Sequence, residues 1–98
     1  MTAPSSAVAE ELARSAVESR LAACVNLLPE VRSIYRWQGK IEDESEVLLV
    51  FKTTEAQLEA LEQHLIDRHP YDTPEFLALP VAAGAQRYLA WLAAECGP

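Results

Sequence analysis

Apolar residues at Ala9, Leu12, Ala13, Ala16 and Val17 recur at i, i+3 and i+4, while Glu10, Glu11, Arg14 and Glu18 occupy the other side. That spacing predicts an amphipathic helix opening at Ser5 or Ser6, with Pro4 ahead of a serine cap. Ala22 to Leu28 is an unbroken apolar run ended by Pro29 and reads as a buried strand. Beyond Pro29 the pattern alternates: Val31, Ser33, Tyr35 and Trp37 share one face, and Arg32, Ile34 and Arg36 the other. Proline removes a ladder donor, so a bulge or bend is expected at Pro29. Gln38-Gly39-Lys40 is a turn signal, and Ile41 to Lys52 reads as a second long strand. Its first half carries Glu42, Glu44 and Glu46 on one face and is expected to project past the core. Its second half, Val47 to Phe51, is apolar on both faces and is expected to be buried. The two strands form one long hairpin.

Thr54-Glu55-Ala56-Gln57 fits a capping box, and the helix it opens carries Leu58, Leu61, Leu65 and Ile66 as a stripe. His69-Pro70 ends it, because a residue before proline avoids the α region. Glu75 to Val81, bracketed by Pro74 and Pro80, reads as a short or edge strand. After a break at Gly84, Gln86 to Glu95 is a last helix with Tyr88, Trp91 and Leu92 inward, stopped by Gly97-Pro98. The order helix, strand, strand, helix, strand, helix points to an α+β sandwich with helices on one sheet face. A ferredoxin-like pattern needs one more strand before the first helix, and only Met1 to Ala3 is available for it.

The 98 residues make one domain, 1–98. Half the residues are hydrophobic and 23% are charged, which excludes a disordered chain. A net charge of −7 argues against nucleic acid, whose phosphates need a basic face. No apolar run reaches the ~20 residues that cross a bilayer, and Met1 to Ser6 lacks the pattern of a signal peptide. Two cysteines, Cys24 and Cys96, make no disulfide framework, so a reducing, cytoplasmic setting is expected. A single bridge between them is left open, although Cys96 falls in a tail expected to fray.

No phosphate loop, nucleophile elbow, H-E-x-x-H or C-x-x-C occurs, so nothing in the motifs points to an enzyme. Cys24 is either a small buried hydrophobe or a thiolate ligand for a soft metal. His69, at a helix end, is either a C-terminal histidine bonding free carbonyls or a metal ligand or proton carrier. His64, mid-helix, is expected in solvent. Lys52 ends a buried strand, with Glu75 as an available partner, in a structural ion pair or in a site. Tyr71 and Trp91 read as packing residues. Tyr35 and Trp37 stand on a hairpin spanning over ~33 Å, against a radius of gyration of about 13 Å for a domain of this size. An isolated hairpin is marginal in water, so its distal half is expected to pair with other copies of the chain.

Ala22-Ala23-Cys24-Val25-Asn26, Ser33 to Glu42, Lys52-Thr53, His69 to Glu75, Leu79-Pro80-Val81 and Tyr88 to Leu92 resemble, in order, the blocks of the CutA family, the divalent-cation tolerance proteins. The resemblance runs from Thr2 to Leu92. It implies a ferredoxin-like subunit in a tight homotrimer whose hairpins join sheets between copies, with an architecture like that of the PII signalling proteins. It also implies copper or similar divalent-cation binding and no established reaction. The family's cleft residues fall on Cys24, Tyr35, Trp37, Lys52, His69, Tyr71, Glu75 and Trp91, and its favoured metal ligands on Cys24 and His69. Arg68 stands where many members have a second histidine, which should weaken cation binding. Members carry a strand ahead of Thr2-Ala3-Pro4, in some with a further cysteine. Here that strand is truncated, so either the native start lies upstream of Met1 or the sheet is rearranged.

These readings leave two functions. One is a trimeric, copper-binding protein of the response to metal ions. The other is a PII-like module holding a small molecule or a partner protein in a cleft between subunits.

Overall fold

Ser5 sits in extended backbone and its hydroxyl accepts the Val8 N–H at 3.2 Å, so helix α1 starts where its cap does and runs Ser6–Glu18. The computed structural model describes residues 1–97, and the Pro98 of the stop signal lies outside the described residues. Strand β1 (Thr2–Ala3) precedes α1, and β2 (Cys24–Trp37) and β3 (Lys40–Lys52) form the hairpin. A 3-10 turn at Glu55–Gln57 leads into α2 (Leu58–Arg68), and α3 (Gln86–Glu95) closes the order. The sheet is antiparallel in the order β1-β3-β2. The truncated first strand therefore exists as two residues, with Thr2 opposite Leu48 and Ala3 opposite Val47.

The core lies between one sheet face and the α1/α2 layer. Ala9, Leu12, Ala13 and Ala16 of α1 and Leu61 and Leu65 of α2 meet Ala3, Val47 and Leu49. Val25, Leu27 and Phe51 flank that cluster. Small residues on α1 let the helix approach the sheet, and four leucines, Leu12, Leu49, Leu61 and Leu65, fill the volume. The opposite sheet face has no helical layer. Leu28 and Val50, expected buried within their apolar runs, are 43% and 41% exposed. Both point to that bare side.

Five other expectations are corrected. Thr54 makes no side-chain cap bond, because the chain enters α2 through the 3-10 turn rather than directly. Residues 75–81 form no strand: Leu77, Leu79 and Val81 are 79%, 87% and 74% exposed, with no ladder partner among the described residues. Helix α3 buries none of its residues, so Tyr88 and Trp91 are not inward. The tail does not fray. Arg20, itself at φ 60°, donates from Nε to the Gly97 carbonyl (2.6 Å) and from Nη2 to that of Ala94 (2.8 Å), while the Gly97 N–H returns a bond to the Arg20 carbonyl (2.8 Å). His64 is half-buried and meets the Ser15 hydroxyl at 2.9 Å, with its basicity lowered chiefly by burial. Both cysteines are free. No helix among the described residues is long and apolar enough to cross a membrane.

Candidate functional site

A one-residue bulge decides what the bare sheet face carries. Leu28 lies opposite Leu48, but the next aligned pair is Val31 with Glu46, so three residues of β2 advance against two of β3. Side chains alternate with period two, so an unbroken ladder would carry Arg32, Ile34 and Arg36 onto the face of Leu28. The extra residue, at Pro29-Glu30 as the proline signal predicted, places Ser33, Tyr35 and Trp37 there instead. Tyr35 comes opposite Glu42, and Ser33 opposite Glu44. Arg32 is sent to the other face, where it grips Asp43 through two bonds of 2.7 and 2.5 Å and holds that carboxyl below its usual range.

The loop after α2 folds over the distal part of this face. His69, 8% exposed, caps the helix and holds the loop in place. Its Nδ1 accepts the Tyr71 N–H at 3.0 Å, which leaves Nε2 as the donor to the Thr2 carbonyl at 2.8 Å. The tyrosine ring leans on the imidazole, with centroids 4.7 Å apart. Its hydroxyl then donates to Glu46 Oε2 at 2.7 Å. Burial, followed by the Glu46 bond, raises the Tyr71 hydroxyl well above its ordinary pKa. Glu46 is thereby 5% exposed, against the expectation that it projects past the core. Partial desolvation, then Glu44, Glu46 and Glu42, raises Tyr35 as well. Tyr35, Trp37, Glu46, Tyr71, Asp72 and Glu75 line a cavity of about 690 Å³.

A second group forms at the far end of the sheet. Cys24 lies opposite Lys52, whose Nζ bonds Asn26 Oδ1 and stands 3.7 Å from the Cys24 sulfur. The Tyr88 hydroxyl is 3.5 Å from the same sulfur, a contact that raises the phenol's pKa. Trp91 stacks obliquely on Tyr88, with centroids 5.6 Å apart.

Of the residues singled out in the sequence, Tyr35, Trp37, Tyr71 and Glu75 meet at the cavity, and Cys24, Lys52 and Trp91 meet at the second group. The groups stand apart. Thr2, bonded to His69, pairs with Leu48, and Cys24 pairs with Lys52, four residues on along β3 and on its other side, and so more than about 13 Å away. Cys24 and His69 of one chain therefore cannot share an ion whose ligands lie ~2 Å from it. His69 has a further disqualification: one ring nitrogen accepts and the other donates, so neither offers a lone pair. Among the described residues no three His, Cys, Asp or Glu side chains are grouped to hold a metal. The Lys52–Glu75 pair is not formed either; Glu75 Oε2 lies 3.3 Å from the Met1 amino group. Sequence reasoning missed Asn26 and the burial of Glu46. For Glu46 the one available signal was its place at the junction of the acidic and apolar halves of β3.

A family model described as CutA1 divalent ion tolerance protein matches residues 1–95. The chain is 54% identical over 94 residues to the Divalent-cation tolerance protein CutA of Pectobacterium atrosepticum, covering 96% of this chain and 86% of that protein. Against Protein CutA of Mus musculus it is 50% identical over 92 residues, 94% of this chain but 52% of the mouse protein. It thus spans about half the length of that longer relative. The solved divalent cation tolerance protein of Thermus thermophilus superposes with a TM-score of 0.95 at 47% identity, covering 98% of this chain and 93% of that one. The periplasmic divalent cation tolerance protein CutA of Archaeoglobus fulgidus gives 0.90 at 36%, over 93% and 88%. The fold, the acidic hairpin face and these matches together place the chain in the CutA1 divalent ion tolerance protein family.

Proposed function

We propose that this protein serves divalent-cation tolerance as a cytoplasmic homotrimer, binding copper or a similar cation through Cys24 in clefts between copies. The observation that carries the reading is the separation of two half-sites on one bare sheet face. The cavity group and the Cys24 group are each open, and among the described residues neither gathers three His, Cys, Asp or Glu ligands. Among the described residues the outer edge of β2 has no partner strand, and the apolar stretch at Leu77, Leu79 and Val81 lies uncovered. Pairing such surfaces between copies in a closed ring leaves no edge free. The molecule is 44 Å along its longest axis, which gives the hairpin the reach to do so. A thiolate favours copper over calcium, whose ligands are oxygens. Two free cysteines suit a reducing compartment. No reaction is assigned.

Sedimentation at micromolar concentration is expected to give three times 10.8 kDa, about 32 kDa. Copper titration is expected to weaken in Cys24→Ala. A 10.8 kDa particle, or copper binding unchanged in that variant, overturns the reading. The second reading, a module for a small ligand, is favoured by one observation: the cavity's volume lies in the range of small-molecule sites.

A further inference from the structure

Lys52 is an unusually placed cation. It is half-buried at the end of a strand, a position that calls for a carboxylate, yet no ion pair among the described residues includes it. Glu75, complementary by charge, is engaged with the Met1 amino group instead. The Lys52 ammonium turns to an amide and a sulfur: it donates to Asn26 Oδ1 and to Cys24 Sγ, the latter at 3.7 Å. Cys24 is its register partner across the β2–β3 ladder. Asn26, two residues from Cys24 on β2, shares that face and holds the amine beside the sulfur. The contact is internal to one chain, so it recurs in each copy of any assembly.

We propose that Lys52 is a charge filter at Cys24: its ammonium stands beside the sulfur where a bound cation would sit, and so disfavours a divalent ion against a soft monovalent one. The inference rests on the reading of Cys24 as a cation ligand. Metal–sulfur bonds are about 2.3 Å long, so an ion on Cys24 comes within about 6 Å of the ammonium from any direction. That is inside the screening length of ~8 Å at physiological ionic strength. Coulomb repulsion is proportional to the charge on the ion, so a dication meets twice the opposition of a monocation. The amine can yield only by giving up its bond to Asn26. The ligand set points the same way. Among the described residues no three His, Cys, Asp or Glu side chains gather around the sulfur to offset the lysine.

The test titrates the full chain, in a Cys96→Ser background where Cys24 is the one thiol, with Cd(II) and separately with Ag(I). Both ions seek sulfur without oxidising it, and the ultraviolet absorption of the metal–sulfur bond reports binding. Lys52→Leu is expected to bind Cd(II) at least about tenfold more tightly than the lysine chain, and Ag(I) only about two- to threefold more tightly. Lys52→Arg keeps the charge and is expected to stay close to the lysine chain for both ions. Lys52→Gln is expected to follow Lys52→Leu and decides the matter if the leucine variant fails to fold. Unchanged Cd(II) affinity in the neutral variants overturns the proposal. So does an equal gain for both ions, which marks a steric plug, or an arginine variant that behaves like leucine. Cd(II) binding that weakens in Cys24→Ala but is the same with and without Lys52 sinks the filter alone. Cd(II) binding that Cys24→Ala leaves unchanged sinks the cation-ligand reading and the filter with it.

Discussion

The Tyr71 hydroxyl donates to Glu46 Oε2 at 2.7 Å across 25 residues of sequence, joining the loop after α2 to the middle of β3. Removing it in Tyr71→Phe leaves a buried carboxylate without its donor. Unfolding in urea is expected to show a loss of about 1–3 kcal/mol. The same contact has a pH signature. Burial and Glu46 hold the folded-state pKa of Tyr71 above the unfolded value. The resulting stability is complete below about pH 10, the unfolded value, and is lost as pH rises through the folded value. Thermal unfolding across that alkaline range is expected to show the decline in the native chain and a flatter profile in Tyr71→Phe.

His69 is a brace in this structure. Its ring ties the Tyr71 N–H to the Thr2 carbonyl and so fixes β1 and the cavity loop to each other. His69→Ala removes both bonds, and a loss of about 1–3 kcal/mol is expected, near 1 per bond. Hydrogen exchange at the Tyr71 amide is expected to accelerate more than exchange in the β2–β3 ladder, and equal acceleration at both would contradict the assignment.

Arg20 clasps the end of α3 through the Ala94 and Gly97 carbonyls and approaches Glu95 at 3.8 Å. Arg20→Ala is expected to free that end. Faster exchange over residues 90–97 with α1 and α2 unchanged is the expected result. Stability is expected to fall by no more than about 1–2 kcal/mol, because the clasp is partly exposed.

The hairpin turn uses two left-handed residues, Gln38 at φ 50° and Gly39 at φ 80°. That is the geometry of a type I′ turn, which matches the twist of the strands and favours Asn-Gly. Gln38→Asn is expected to raise stability by a few tenths of a kcal/mol to ~1. Gly39→Ala is expected to lower it by about 1. A Cβ at Gly39 would meet nothing within 4 Å, so the cost is local backbone strain alone. Thermal unfolding of both variants checks the pair of signs.

Most of the local structure was legible in the sequence because it is written locally. The stripe of α1, its serine cap, the alternation after Pro29 and the bulge itself need only neighbours within a few residues. Residues 75–81 failed the same treatment. Their extended, apolar character was visible, but a strand is defined by a partner, and this chain supplies none within the described residues. Glu46 failed for the converse reason. Its hydrogen-bond partner Tyr71 arrives from a distant loop that His69 holds in place. Lys52 and Glu75 looked complementary by charge alone. Sheet order sends Lys52 toward Cys24 and Asn26 at the β2 side, and Glu75 toward the end of β1.

Among the described residues no strand pairs with the outer border of β2, and a border of that kind is a template on which stray strands grow into fibrils. Pro29 has no amide hydrogen to offer a neighbouring strand on either side, and Glu30, at φ 57°, interrupts the extended backbone. The border is thus cut into two short stretches that are out of step by one residue. A foreign segment laid along it matches one stretch or the other, never both. The kink that orients Tyr35 and Trp37 therefore also breaks the continuity that edge-to-edge growth requires.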